Sequence, residues 1–161
     1  MKKIISLAVI AGALAFHNAI AMPNPWVDCG QDLICGEKKA GFSFSLSVEN
    51  YTVRAMEDMF EITFPLDADR MVTVRKSELF DGEADENGII DISGDYNVYP
   101  VNKTITLENG VKFKVRGEED NYKVVNFAAE TGNYSFTSDK GLHLSDIEHL
   151  YELLEKAEAP K

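Results

Sequence analysis

This chain of 161 residues carries 27 acidic and 16 basic side chains, which gives a formal net charge of −11 at pH 7. A surface of this sign repels phosphate backbones and anionic lipid head groups, so nucleic-acid and membrane-surface partners are disfavoured. A cationic or neutral partner remains open.

Residues 1–21 are typical of a cleavable secretory signal peptide. Two lysines precede an apolar run at 4–16, and Ala19 and Ala21 are the small residues that a signal peptidase reads. The run of about 13 residues is shorter than the roughly 20 that a membrane-spanning helix needs. We therefore expect cleavage after Ala21, a periplasmic or secreted product, and one domain over 22–161 without an integral membrane span.

Residues 29–40 predict a short helix that ends at Gly41, although Gly36 is unfavourable within it. Cys29 and Cys35 are the only cysteines, and export favours a disulfide between them. A continuous helix from Cys29 would separate the two Cα atoms by about 9 Å, beyond the roughly 7 Å that a disulfide tolerates. Either the helix begins after Cys29 and the pair is bridged, or the thiols are free.

The rest of the chain predicts a sheet. Strand-like runs occupy residues 51–56, 59–64, 71–76, 103–107, 111–116, 122–128 and 133–138. A two-residue turn at Asn109-Gly110 would place Leu107 opposite a lysine, which mixes core and solvent residues on one face. A three-residue loop at 108–110 with Gly110 in the left-handed conformation instead sets Leu107 opposite Val111 and Ile105 opposite Phe113.

The same apolar face continues through the next two hairpins. A five-residue loop at 117–121 would set Phe113 opposite Val125. A four-residue loop at 129–132 would set Phe127 opposite Tyr134 and Val125 opposite Phe136. These strands therefore share one apolar side that another element has to cover.

The C-terminal segment is suited to cover that side. Ser145 with Glu148 three residues later has the pattern of a capping box. The apolar residues that follow recur at helical spacing and are Ile147, Leu150, Tyr151 and Leu154. The sequence predicts an α+β fold, with a mainly antiparallel curved sheet of six or seven strands packed by a C-terminal helix and a short N-terminal helix.

The segment 83–91 resembles an EF-hand loop, in which oxygen ligands alternate and a glycine makes the turn. Its candidate calcium ligands are Glu83, Asp85, Asn87 and Asp91. The pattern departs from an EF-hand because the first position is glutamate and the twelfth is Gly94. A solvated acidic loop is the alternative, and no other cofactor is indicated.

Lys112, Lys114 and Arg116 form a basic stripe at strand spacing on the proposed solvent face. The stripe fits either a solvated face with cross-strand charge pairs or a docking surface for an anionic group. Trp26, the single tryptophan, fits either a core anchor or an exposed recognition residue.

Several short motifs together resemble an uncharacterised family of secreted or envelope domains from bacteria, which is similar to domains attached to anti-sigma-like membrane proteins. The motifs are Asn24-Pro25-Trp26, Ala40-Gly41-Phe42, Arg75-Lys76-Ser77, Asp91-Ile92-Ser93-Gly94-Asp95-Tyr96 and the strand and helix within 133–154. The resemblance implies no catalytic residues. It directs attention to Asp91, Ser93, Gly94, Asp95 and Tyr96 as binding candidates.

No nucleophile elbow, zinc-protease helix or phosphate-binding glycine loop occurs in the sequence. We expect an exported, non-enzymatic binding or interaction module whose partner is an envelope protein or a small ligand. The alternatives are a secreted hydrolase with a site around Asp95 and Tyr96, and a calcium-stabilised structural protein.

Overall fold

The computed structural model describes residues 24–78 and 82–159, so the predicted signal peptide lies outside the described residues. Eight strands form one antiparallel sheet in the order β1-β2-β3-β4-β8-β7-β6-β5. The strands are β1 (Val27–Gly30), β2 (Thr52–Met56), β3 (Met59–Pro65), β4 (Met71–Ser77), β5 (Val101–Thr106), β6 (Lys112–Glu118), β7 (Asn121–Ala129) and β8 (Gly132–Leu142). The helices are α1 (Leu33–Ala40) and α2 (Leu144–Glu158).

The α+β architecture is confirmed, but the sheet has eight strands rather than six or seven. The additional strand is β1, part of which was predicted as the start of the helix. Asp32 explains the difference, because its side chain accepts hydrogen bonds from the amides of Ile34 and Cys35 and starts α1 at Leu33. Cys29 therefore lies in a strand, and its Cα is 5.7 Å from that of Cys35 in the disulfide that joins them.

Gly36 is required by the way α1 packs on the sheet. A Cβ at this position would come within 2.5 Å of the Phe60 ring and 2.8 Å of Val53 Cγ1. The glycine that weakens the helix in the sequence therefore permits close contact between helix and sheet. At the other end of α1, Gly41 has a φ of 87° and ends the helix as predicted.

The predicted pairings of the first and last hairpins of the second half are confirmed. Ile105 lies opposite Phe113, and the Leu107 amide donates to the Val111 carbonyl oxygen at 2.9 Å. Phe127 lies opposite Tyr134. Val125 likewise lies opposite Phe136.

The pairing of β6 with β7 was wrong by two residues. Val115 rather than Phe113 lies opposite Val125, because β6 and β7 run on to Glu118 and Asn121 past an irregularity at Gly117. A shift of two residues leaves every side chain on its predicted face. Phe113 still reaches the core, where its ring centroid is 4.7 Å from that of Phe127.

Helix α2 covers the apolar face, hereafter the core face, as predicted. Ile147, Leu150 and Leu154 are buried, and the Tyr151 ring packs edge-on against Phe113 and Phe127. The capping residues at the N-terminus of α2 differ from those predicted. The N-cap is His143, whose amide donates to Asp146 Oδ2 at 2.8 Å, so the capping box is not formed by Ser145 and Glu148.

Two long-range ion pairs fix α2 to the sheet. At its start, Asp146 Oδ2 also accepts from Arg70 Nη1 at 2.7 Å, which explains why Asp146 takes the capping role. At its end, Glu158 accepts from the buried Lys76 Nζ at 3.1 Å. The Lys76 ammonium also lies within 6 Å of the rings of Phe42, Phe44 and Tyr134.

Candidate functional site

The second face of the sheet, hereafter the polar face, is crossed by a continuous row of polar side chains. Cross-strand pairing places one such residue on each strand, in the order Asp28, Arg54, Glu61, Arg75, Ser135, Asn126, Lys114 and Thr104. The centre of the row is buried, since Glu61, Asn126 and Ser135 are 4%, 2% and 1% exposed. Buried polar groups need partners, and Glu61 finds one within the sheet, in Arg75, whereas Asn126 is bonded by a segment outside it.

The connection between β4 and β5 crosses this face and supplies the partner of Asn126. The main chain of Ile92 is held on both sides. Arg75 Nη1 donates to its carbonyl oxygen at 2.6 Å, and its amide donates to Asn126 Oδ1 at 3.1 Å. The side chains of Ile89 and Ile92 are buried as well. The segment is therefore fixed at one residue by side chains from two different strands.

Arg75 also contacts Glu61 and the single tryptophan. Its Nη2 donates to Glu61 Oε1 at 3.0 Å. The centroid of the Trp26 ring is 4.7 Å from Arg54 Cζ and 4.8 Å from Arg75 Cζ. Trp26 is half-buried on the polar face. It ties the N-terminal segment to the arginine that holds Ile92.

Arg116 of β6 binds further residues of the same connection. Residues 91–99, which include Ile92, are hereafter called the pinned loop. Arg116 Nη2 donates to Asp91 Oδ2 at 2.9 Å and to the carbonyl oxygen of Asp95 at 2.6 Å. Its Nη1 donates to the carbonyl oxygen of Asn97 at 2.9 Å. With a longer contact of 3.4 Å from Nη2 to Ser93 Oγ, one guanidinium therefore binds four residues of the loop. Gly94 has a φ of 73°, which permits the turn between them.

Asp95 and Tyr99 close the pinned loop at its end. Tyr99 Oη donates to Asp95 Oδ2 at 2.7 Å, and the Asn97 amide donates to Asp95 Oδ1 at 2.8 Å. Burial works against the ionised carboxylate, but these hydrogen bonds outweigh it and hold the pKa of Asp95 below its usual range. Burial, followed by the same hydrogen bond to Asp95, raises the pKa of Tyr99.

The pinned loop presents two apolar side chains to solvent. Tyr96 is 93% exposed and Val98 is 97% exposed. Their neighbours Asp95 and Asn97 are hydrogen-bonded to Arg116, and Tyr99 is hydrogen-bonded to Asp95. The main chain of the loop is therefore fixed although its apolar side chains contact almost nothing. A rigid apolar projection of this kind loses little conformational entropy when a partner covers it.

Beneath the start of the pinned loop lies an open cleft of about 350 Å³. The residues that line it are Glu83, Ala84, Asp85, Ile89, Asp91, Asn102, Lys114, Arg116 and Asn126. The structure thus brings together two sets of residues that are distant in sequence, the acidic segment and the basic stripe. Their charges are paired with each other, as in Lys114 with Asp85 at 3.6 Å and Arg116 with Asp91 at 2.9 Å.

The basic stripe does not lie on an open solvent face, because the segment 82–99 covers part of it. Arg116 and Lys114 are half-buried beneath that segment, and Lys112 Nζ donates to Asn87 Oδ1 at 3.2 Å. The charge pairs expected across strands are instead made to the covering segment. Nothing in the repeating pattern of the strand indicated this cover.

The EF-hand-like segment forms a short hairpin turn, with a bridge between Ala84 and Ile90. Asp85 Oδ1 accepts from the amides of Asn87 and Ile89 at 2.8 and 2.9 Å. The hydrogen bond from Ile89 is the main reason that the pKa of Asp85 is lowered. Within residues 24–78 and 82–159, no cluster of three histidine, cysteine, aspartate or glutamate residues is arranged to hold a metal. The calcium site stays a prediction without a supporting contact.

Asp95 and Tyr96, the candidate pair for a hydrolase, differ in their surroundings, since Tyr96 is 93% exposed and Asp95 is held by Tyr99. A cleft of about 190 Å³ contains Asp95, Tyr99 and Lys123, whereas Tyr96 is not among its lining residues. Both cysteines are bridged, so neither is a free thiol nucleophile.

Four residues of this site were not predicted from the sequence, namely Arg75, Asn126, Tyr99 and Val98. Two signals were available. Polar residues stand at alternate positions of successive strands, and the connection between β4 and β5 is longer than a simple turn requires. Neither signal identifies the individual partners, because each pair is distant in sequence.

The chain was compared with family models, with curated proteins and with solved structures, and none of them matches it. No helix in the described ranges has the length and apolar character needed to cross a membrane.

Proposed function

We propose that the protein is an exported, non-enzymatic interaction module that binds a partner protein of the cell envelope through the pinned loop. The observation that carries this proposal is the combination of near-complete exposure of Tyr96 and Val98 with a main chain held by Arg116. Aromatic side chains presented on a fixed main chain are typical of the residues that dominate binding energy at interfaces.

Three observations support export as part of this proposal. The first 21 residues have the pattern of a signal peptide. The disulfide between Cys29 and Cys35 is of a kind that persists in oxidising compartments. The motifs of the chain also resemble those of secreted and envelope domains.

The charges around the pinned loop favour an apolar contact over an ionic one. Arg116 is paired with Asp91, and Lys114 is paired with Asp85, so the basic stripe offers few unpaired charges to an anionic group. Tyr96 and Val98 remain as the accessible features. The partner should therefore present an apolar pocket to them.

The test compares two variants that each remove one exposed apolar side chain. Tyr96→Ser changes the pinned loop, whereas Ile34→Ser changes a 63% exposed side chain on α1, far along the chain from the loop. Affinity capture from an envelope extract of the producing cells identifies a partner, and titration then measures its dissociation constant. We expect Tyr96→Ser to weaken binding at least about tenfold and Ile34→Ser to leave it unchanged.

Both variants should unfold at the temperature of the wild-type protein, since both positions are exposed. A partner that binds the wild type and Tyr96→Ser with equal affinity would contradict docking through the pinned loop. So would a partner that is lost equally in both variants.

A further inference from the structure

The two edges of the sheet differ in how well they are protected against a further strand. β1 has four residues and an irregular register between Asp28 and Gly30, and a disulfide ties its Cys29 to α1. β5 has six residues that pair with β6 without any shift of register. Among the residues that the structure describes, no segment pairs with the outer side of β5. A regular, uncovered edge of this length is a template for another strand.

We propose that β5 is the docking edge for an extended, basic segment of a partner polypeptide, which joins the sheet as a ninth strand. This inference rests on the proposed function, because it names the class of segment that the interaction module would bind. Adding a strand to an exposed edge is a recurrent mode of peptide recognition, in which main-chain hydrogen bonds provide affinity and alternate side chains provide specificity.

The hydrogen-bonding pattern identifies the main-chain groups that are free to bind. The Leu107 amide donates to the Val111 carbonyl oxygen, so this pair is a hydrogen-bonded one. Hydrogen-bonded and non-bonded pairs alternate along an antiparallel ladder, and the register from there to Val101 is continuous. The amides and carbonyls of Asn102, Thr104 and Thr106 therefore point away from β6, towards the open edge.

The composition of β5 suits strand addition. Four of its six residues are β-branched, which favours an extended conformation. Its one charged side chain, Lys103, would oppose a basic partner if it were unpaired. Both carboxylate oxygens of Glu119 lie within 2.8 Å of Lys103 Nζ, so its charge is balanced within the protein.

The charge next to the edge determines the chemistry of the partner. A cleft of about 280 Å³ lies between α2 and the turn that follows β5. It is lined by Leu107, Asn109, Tyr151 and the four carboxylates Glu108, Glu148, Glu152 and Glu155. No ion pair to any of these four carboxylates occurs in the described part of the chain. A strand added about 4.8 Å beyond β5 would turn alternate side chains towards this cleft, where lysine or arginine is favoured.

The same charge disfavours a second copy of this chain at the edge. Each copy carries a net charge of −11 and the same acidic cleft, so edge-to-edge pairing would bring like charges together. The pinned loop also lies close to the edge, because Val98 is three residues before Val101, a span of about 11 Å at most. One partner can therefore contact both the pinned loop and β5.

The test uses two synthetic peptides of about nine residues with blocked ends, one alternating valine with lysine and the other valine with glutamate. Titration with the purified protein measures their dissociation constants. We expect the lysine peptide to bind at least about tenfold more tightly than the glutamate peptide.

Thr104→Pro removes an outward amide without breaking the ladder to β6, and it should weaken binding of the lysine peptide at least about tenfold. Thr104→Val keeps the amide and should bind like the wild type.

A second measurement covers the case in which Thr104→Pro fails to fold. In the wild-type protein, the lysine peptide should shift the amide resonances of Asn102, Thr104 and Thr106. The double variant Glu152→Gln and Glu155→Gln should lose affinity for the lysine peptide and reduce its dependence on salt. Tyr96→Ser should keep peptide affinity, which separates failure at the edge from failure of the pinned loop.

Four results would overturn the inference. They are a folded Thr104→Pro protein that binds like the wild type, resonance shifts confined to other strands, no saturable binding of the lysine peptide at about 1 mM, and wild-type dimers that Thr104→Pro abolishes. The last result would assign the edge to a second copy of this chain.

Discussion

On the core face of the sheet, two helices cover a continuous apolar surface, whereas on the polar face a loop covers a row of polar side chains. The helices bury aliphatic and aromatic groups such as Leu150 and Phe60. The pinned loop is held by the side chains of Arg75, Asn126 and Arg116, which bind its main chain. The two covers therefore depend on different forces.

The helices on the core face and the loop on the polar face should respond differently to substitutions. Apolar burial is non-directional and is summed over many contacts, so its loss affects the whole fold. The cover of the polar face depends on a few directional bonds near solvent, and such a segment can open while the sheet stays folded. We expect changes on the core face to be global and changes at the pinned loop to be local.

Removal of α2 should have the largest effect. A chain that ends before Ser145 loses the buried side chains of Ile147, Leu150 and Leu154, each of which contributes about 1.5 to 3 kcal/mol by burial. We expect an unfolded or aggregating product in circular dichroism and size-exclusion measurements. A chain that lacks only residues 159–161 is the control and should fold. A cooperatively folding, soluble fragment without α2 would show that the core face does not need this helix.

Gly36→Ala should give a smaller, global loss. The added methyl group would meet the Phe60 ring and Val53, and overpacking of this kind costs about 1 to 3 kcal/mol, partly offset by the higher helix propensity of alanine. Urea denaturation measures the change in the free energy of unfolding. Lys38→Ala, at an exposed position of the same helix, should change it by less than about 0.5 kcal/mol. A Gly36→Ala protein that is more stable than the wild type would contradict the close contact.

Acid should weaken the polar face through Asp95. Its pKa in the folded protein is below the value of about 3.9 in the unfolded chain, so its stabilising contribution is present above that pH and is lost as the pH falls through the folded-state pKa. Between about pH 5 and pH 2, the wild type should therefore lose more free energy of unfolding than Asp95→Asn, by about 1 kcal/mol or less.

Asp139→Asn, which changes an exposed carboxylate on β8, is the control and should follow the wild type. An identical pH dependence in the wild type and Asp95→Asn would remove Asp95 from the bonds that hold the loop.

The core face could be predicted from sequence because its apolar residues recur at the spacing of strands and helices. Alternation along the strands gave the pairs of Ile105 with Phe113 and Phe127 with Tyr134, and helical spacing gave the buried side of α2. The errors arose where one local signal competed with a long-range partner. Asp146 replaced the expected capping residues because Arg70 binds it.

The polar face could be predicted only in part. The segment Asp91 to Tyr96 was identified from its resemblance to a family, and the basic stripe was identified from strand spacing. The binding of Arg116 to the main chain of this segment could not be predicted. The partners are about 20 residues apart, and no periodic pattern links them. Directional bonds between distant residues leave little trace in a single sequence.

Hydrogen exchange of the pinned-loop amides tests the central claim most directly. In the wild type, the amides of Ile92, Asp95 and Asn97 are hydrogen-bonded and should be protected at least about tenfold. Arg116→Gln should remove the protection at Asp95 and Asn97 while the amides of β7 and β8 keep theirs, and Lys112→Gln should match the wild type. Unprotected loop amides in the wild type, or unchanged protection in Arg116→Gln, would show that Arg116 does not fix the loop.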